Sequence, residues 1–201
     1  MEFAAAVRAR RMVRSFLPEP LAPGQLDRIL ALAARAPSAG NTAGVRFLAL
    51  EGPEDTAAYW SAALPEERRA GFAWPGLLHA PALVLPVADA GAYVARYAEP
   101  DKAATGLGVG AEAWSVPYWH VDAGFAAMTI LLAAVDEGLG ALFFGLFGRT
   151  EAVKAAFSIP EGLSPVGVIA LGRPAPEQRP GRSAGRPRPP LGELVHRGRW
   201  R

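Results

Sequence analysis

The stretch from Val121 to Val135 constrains this chain more than any other. Read as a helix it is apolar on every side, because Phe125, Met128, Ile130, Leu131, Leu132 and Val135 cover all directions of a helical wheel. A helix with no polar face has to be surrounded, by protein or by lipid. Asp122 near its start and Asp136-Glu137 at its end leave it short of the roughly 20 apolar residues that cross a bilayer, so burial in protein is the expectation. In a chain of 201 residues, complete burial points to help from a second subunit.

Around this helix the pattern alternates. Residues 2–11 allow a short helix, which ends before Pro18 and Pro20 because residues preceding proline favour extended geometry. Pro23-Gly24-Gln25 starts another, with Leu26, Ile29, Leu30 and Ala33 at helical spacing and Pro37 as its stop. Residues 45–50 and 82–87 read as strands, and the segment between them carries no clear signal. Residues 89–119 set Tyr93, Tyr97, Trp114, Tyr118 and Trp119 among glycines and read as mostly irregular, as a lid or pocket wall would. Gly138-Leu139-Gly140 then stops the apolar helix, 141–144 is a short buried strand, 151–157 a helix and 165–171 a last strand. Strands separated by helices, with no internal repeat, predict mixed layers in a single domain over 1–201. From Arg173 to Pro190 prolines and glycines accumulate. Leu191, Leu194, Val195 and Trp200 follow and would be wasted in solvent, so 189–201 is expected to be an arm packing on a partner subunit.

The cationic residues have their own pattern. Arg8, Arg10, Arg11 and Arg14 crowd the beginning and Arg182, Arg186 and Arg188 the end, while lysine occurs only at Lys102 and Lys154. Arginine's planar fork matches phosphate oxygens, so two such clusters suggest one shared anion, a phosphorylated cofactor first of all. A net charge of +2 with acids spread throughout argues against a nucleic-acid partner. Zero cysteines exclude disulfides, thiolate metal sites and cysteine nucleophiles, and fit a cytoplasmic protein. The arginines at 8, 10 and 11 interrupt any signal-peptide core. His79, His120 and His196 lack the spacing of a metal site, and no serine has an evident histidine-carboxylate partnership, so neither a metal nor a hydrolytic triad is expected. Gly106-Leu107-Gly108-Val109-Gly110 is not the dinucleotide-binding fingerprint.

Four segments in order carry a resemblance: Arg10-Arg11-Met12-Val13-Arg14, the loop Ala36-Pro37-Ser38-Ala39-Gly40-Asn41-Thr42, the turn Asp136-Glu137-Gly138-Leu139-Gly140 into Phe143-Phe144-Gly145, and the closing Arg-Pro-Pro-Leu-Gly-Glu-Leu-Val-His. Together they resemble the FMN-dependent nitroreductase family over nearly the whole chain. The resemblance implies an α+β, nitroreductase-like fold: a central, mostly antiparallel sheet flanked by helices in an interlocked homodimer. It implies that Arg10, Arg11 and Arg14, with Arg186 and Arg188, surround the FMN phosphate and ribityl chain. Met12 stands where the family usually has serine. Pro37, Ser38 and Ala39 would shape the loop beside the ribityl chain, and Asn41 would meet the polar edge of the isoalloxazine. The backbone of Gly145, Leu146, Phe147 and Gly148 would pass the ring's reactive edge, Phe147 and Gly148 nearest N5. Tyr118, Trp119 and His120 would face the substrate. The implied activity is a ping-pong hydride transfer from NADH or NADPH through FMN to a nitroaromatic, quinone or related small-molecule acceptor, without a membrane. The alternative is a protein of the same fold that binds, sequesters or consumes flavin without NAD(P)H turnover. The acceptor, the preferred nicotinamide, the room left by residues 93–119 and the choice among the C-terminal arginines are open at this level.

Overall fold

Among the described residues five strands form one sheet, and helices cover both of its faces. In the computed structural model, which describes residues 1–181 and 183–200, the chain runs through α1 (Phe3–Ala9), α2 (Gln25–Ala33), β1 (Val45–Glu51), α3 (Pro53–Ala63), α4 (Glu66–Arg69), β2 (Ala82–Asp89), α5 (Ala90–Tyr97), α6 (Tyr118–Asp136), β3 (Gly140–Phe144), α7 (Thr150–Ala156), β4 (Leu163–Pro165), β5 (Val168–Gly172) and α8 (Leu191–Leu194). The strand order is β1-β2-β5-β3, with β4 on β2, and each of these pairings is antiparallel. The fold is α+β, as the family resemblance implied.

Alternation along the strands divides the core in two. Leu83, Leu85, Leu142, Val168 and Ala170 point to one face, under Tyr59, Trp60 and Ala63 of α3 and Val153 of α7. Ala82, Val84, Ala141, Ile169 and Leu171 point to the other, under Leu26, Ile29 and Ala33 of α2 and Ile130, Leu131 and Ala134 of α6. This is the period-two side-chain arrangement of a sheet buried on both faces. Trp60 stacks on Phe144 at 5.8 Å between centroids, anchoring α3 to the sheet.

Three sequence expectations change. The segment between the first two strands holds α3 and α4. Pro53 fits the first turn of α3, and its buried positions Thr56, Tyr59, Trp60 and Ala63 keep helical spacing, but the polar threonine interrupts the apolar stripe. Residues 89–119 are not mostly irregular from the outset: α5 begins them, started by Asp89, whose carboxylate accepts the Ala92 N–H at 3.0 Å. The last strand is two pieces, β4 and β5, both paired with β2.

The apolar helix is longer than its apolar run. α6 has 19 residues and by length and composition could span a membrane, yet half of its most apolar window is buried in the protein. Its inner face carries Ala123, Ala126, Ala127, Ile130, Leu131 and Ala134; on the outer face Phe125 is 47% and Met128 41% exposed. The single chain thus covers only half of this helix. Leu191, Leu194 and Trp200 of the C-terminal arm are exposed as well.

Candidate functional site

The segment after α1 is extended and runs along the outer edge of β3, Met12 bridging Ala141 in parallel and the Val13 N–H donating to the Ala141 carbonyl at 2.9 Å. Past β5 the chain returns beside it: the Leu17 N–H reaches the Arg173 carbonyl and the Ala175 N–H reaches Ser15, at 2.9 and 3.0 Å. Gln178 clips the two runs together, accepting the Arg14 N–H at 3.2 Å and donating to the Ser15 carbonyl at 2.6 Å.

Between the two runs lies a cleft of about 830 Å³. Arg8, Arg10, Arg11, Arg14, Arg179 and Arg188 line it, and no carboxylate does among the described residues. Each guanidinium has a distinct state. The Arg11 Nη1 donates to the carbonyls of Arg8 and Arg10, at 2.5 and 2.9 Å, and is thereby folded onto its own backbone. Arg14 lies over the Trp74 ring and donates to the Met12 carbonyl at 3.1 Å. The Nη1 of Arg10 is buried and has no hydrogen-bond partner among the described residues. A buried, unpartnered guanidinium nitrogen in a cleft without carboxylates is costly unless an anion meets it. Gly181 closes the wall where an added Cβ would stand 2.9 Å from the Arg14 guanidinium, so only glycine leaves Arg14 where it is.

A second cleft, of about 470 Å³, lies against the loop that leads into β1 and is lined by Arg35, Pro37, Ser38, Asn41, Phe47 and Asp122 among others. The Ser38 hydroxyl accepts the Ala43 N–H at 2.9 Å and keeps its own proton to donate. Asn41 is exposed, in the left-handed region at φ +53°. The described linings of the two clefts share no residue. One cleft borders β3 and the other β1, which are opposite edges of the sheet.

The structure therefore brings Arg10, Arg11, Met12, Arg14 and Arg188 together across most of the chain's length, and Pro37, Ser38 and Asn41 together elsewhere. Arg186 is exposed and outside the arginine cleft's lining; Arg182 lies outside the described residues. Gly145 to Gly148 follow β3 and line neither cleft. The Leu146 side chain is buried in the core, and Phe147, at φ +54° and partly buried, packs on Phe72 and Phe144. Tyr118 is 43% exposed, whereas Trp119 is half-buried among Tyr93, Trp114 and His120. His120 lines a small cleft of about 450 Å³ with Gly124, Phe143, Pro165 and Val166. Sequence reasoning did not assign Arg8 or Arg179 to the site. Arg8 was legible as part of the first cluster; Arg179 enters only because the chain returns along residues 14–17.

The nitroreductase family model matches residues 7–173. The chain belongs to the nitroreductase family. An Archaeoglobus fulgidus protein provisionally named NADH dehydrogenase/NAD(P)H nitroreductase is 26% identical over 197 residues, 95% of this chain and 94% of that one. A Methanothermobacter thermautotrophicus protein of the same provisional name is 44% identical over 61 residues, covering 29% of this chain and 32% of its own length. The crystal structure of a nitroreductase family protein from Clostridium difficile 630 superimposes with a TM-score of 0.71 at 20% identity, covering 100% of both chains. This nitroreductase-family chain shares that fold.

Proposed function

We propose that this nitroreductase-family chain is an FMN-dependent oxidoreductase that takes reducing equivalents from NADH or NADPH and works as a homodimer. The carrying observation is the arginine cleft with its buried, unpartnered Arg10 nitrogen. A phosphate dianion suits that donor set: Arg10, Arg14 and Arg188, with Arg8 and Arg179, would hold it through charge-assisted hydrogen bonds. Ser38 and Asn41 offer a hydroxyl and an amide suited to a polyol chain and to a ring edge with both donors and acceptors. Bound FMN would supply the hydride and electron chemistry, and the protein would supply binding and orientation.

The separation of the two clefts supports the homodimer. A flavin that touches Arg10 and Asn41 needs both clefts, and they sit at opposite sheet edges of one chain. Between them runs α6, from Asp122 beside the loop to Asp136, which the N-terminal ammonium ahead of α1 pairs with; 14 residues of helix separate these ends by about 21 Å. The outer face of α6, with Phe125 and Met128, is the apolar surface a second copy would cover. A two-fold axis through such a face makes every contact twice, which would bring each arginine cleft to the other copy's loop and create two equivalent sites. The arm expected over 189–201, whose Leu191, Leu194 and Trp200 are exposed, would add to the same assembly. Tyr118 and His120 would then face the acceptor, and the backbone of 145–148 the ring.

The test is the absorbance spectrum of the purified protein, followed by anaerobic addition of NADH or NADPH. A flavin spectrum that bleaches supports the oxidoreductase. A bound flavin that neither nucleotide reduces would make the protein a flavin binder instead, and no bound flavin after incubation with FMN would overturn the cofactor assignment.

A further inference from the structure

We infer that Asp122 and Tyr93 are positioning residues for Asn41: a buried carboxylate and phenol that hold the 38–43 loop in the shape presenting the Asn41 amide. The inference rests on the flavin reading above for what that amide meets. The loop passes through the left-handed region at Gly40, Asn41 and Ala43, with φ of +63°, +53° and +49°. Residues other than glycine persist there only where the surroundings over-determine them.

The surroundings come from two helices. Asp122, one turn into α6 and 2% exposed, accepts two hydrogen bonds on the same Oδ2: from the Ala39 N–H at 2.8 Å and from the Tyr93 hydroxyl at 2.6 Å. From α5, the Arg96 Nε donates to the Gly40 carbonyl at 3.0 Å, and Arg96 is itself held by Asp101 at 2.7 and 2.8 Å. Tyr97 lies so close to Gly40 that a Cβ there would stand 2.7 Å from its ring. The loop is thus gripped at the residues immediately before Asn41, by α6 on its N–H side and by α5 on its carbonyl side. Tyr93 ties the two helices together through the same carboxylate oxygen.

Two features separate this from ordinary packing. Asp122 forms no ion pair among the described residues, and a buried carboxylate without a cation is a poor way to stabilise a core, where an apolar residue of similar volume serves better. Meanwhile the Asn41 carboxamide, at the centre of the gripped loop, makes no hydrogen bond of its own among the described residues and is exposed on the second cleft. The Tyr93 phenol is pushed above its ordinary range by burial and by its bond to Asp122, so it remains a donor at any working pH. The loop's backbone is fixed and its amide is left free.

The experiment compares wild type, Asp122→Ala, Tyr93→Phe and Asn41→Ala, alone and combined. Amide hydrogen exchange of residues 38–42 reads the clamp. The FMN dissociation constant and the visible circular dichroism of bound FMN read its consequence. Asp122→Ala should speed exchange in the loop, weaken FMN about ten- to a hundredfold and alter the dichroism, and Tyr93→Phe should do the same to a lesser degree. In the Asn41→Ala background both should lose most of that effect on FMN, because they act through the same amide. Tyr93→Phe keeps its ring in the core and carries the test alone where Asp122→Ala does not fold. Unchanged FMN affinity and dichroism in a folded variant, or losses that add fully to Asn41→Ala, would overturn the positioning role. Wild type that binds no FMN would bring down the flavin reading, and this inference with it; wild type that binds FMN beside an unaffected Asp122→Ala would bring down this inference alone.

Discussion

The Arg14 guanidinium carbon lies 5.2 Å from the centroid of the Trp74 ring; Arg14 lines both the arginine cleft and a neighbouring one of about 510 Å³, and Trp74 lines the second. The indole restrains a long side chain that would otherwise lose rotamer freedom on meeting an anion, so binding costs less. Replacing Arg14 by alanine should weaken FMN about ten- to a hundredfold, the loss of one charge-assisted contact of about 1.5–3 kcal/mol. Trp74→Ala should cost about 0.5–1 kcal/mol, a few-fold in affinity. Titration calorimetry with FMN measures both, and equal affinity in wild type and Arg14→Ala would remove Arg14 from the phosphate site.

Arg188 and Arg186 provide an internal control. Only Arg188 lines the cleft; Arg186 is exposed two residues away. Arg188→Ala should weaken FMN by the same order as Arg14→Ala, while Arg186→Ala should leave it within about twofold, as exposed charges away from a ligand do. The reverse order would relocate the phosphate.

Assembly and flavin retention should fail together. A charge placed on the outer face of α6, as in Phe125→Asp, or truncation after Pro190 would expose or remove the apolar surface of the proposed interface. Sedimentation should then give a monomer with little flavin, because each chain holds its two clefts apart. A monomer that retains stoichiometric FMN would show that one chain suffices.

Arg28 donates to Glu137 through Nε and Nη2, at 2.9 and 2.8 Å, and joins α2 to the end of α6. The hydrogen bond from Arg28 holds the Glu137 carboxyl below its ordinary value of 4.5. A carboxyl with a lowered folded value stabilises the fold above its unfolded pKa, and that contribution disappears as pH falls through the folded value. Thermal melts should therefore show wild type losing more stability than Arg28→Gln between about pH 5 and pH 3, with a small difference because the pair is solvent-exposed. Parallel melting curves over that range would mean the pair contributes nothing.

Local pattern carried much of this protein. Leu26, Ile29, Leu30 and Ala33 announce α2, and the apolar run of 82–87 announces a strand, because periodicity is a property of neighbours in sequence. α3 and α5 were hidden for the same reason. Thr56 breaks the stripe of one and glycine and tyrosines disguise the other, although Pro53 and Asp89 mark their starts. The two arginine clusters were visible as composition, and the resemblance carried by the motifs at 10–14 and 36–42 pointed to the family. Tertiary structure alone decided which of those arginines meet. Arg188 enters the cleft and Arg186 does not, and Arg179 arrives through backbone pairing with residues 14–17. It alone decided that Arg10 and Asn41 stand at opposite edges of the sheet, since strand order is a set of long-range pairings that no local pattern encodes. Asp122 marks the same division: in sequence it is a polar interruption near the start of an apolar helix, and only folding brings Ala39 and Tyr93 to its oxygen.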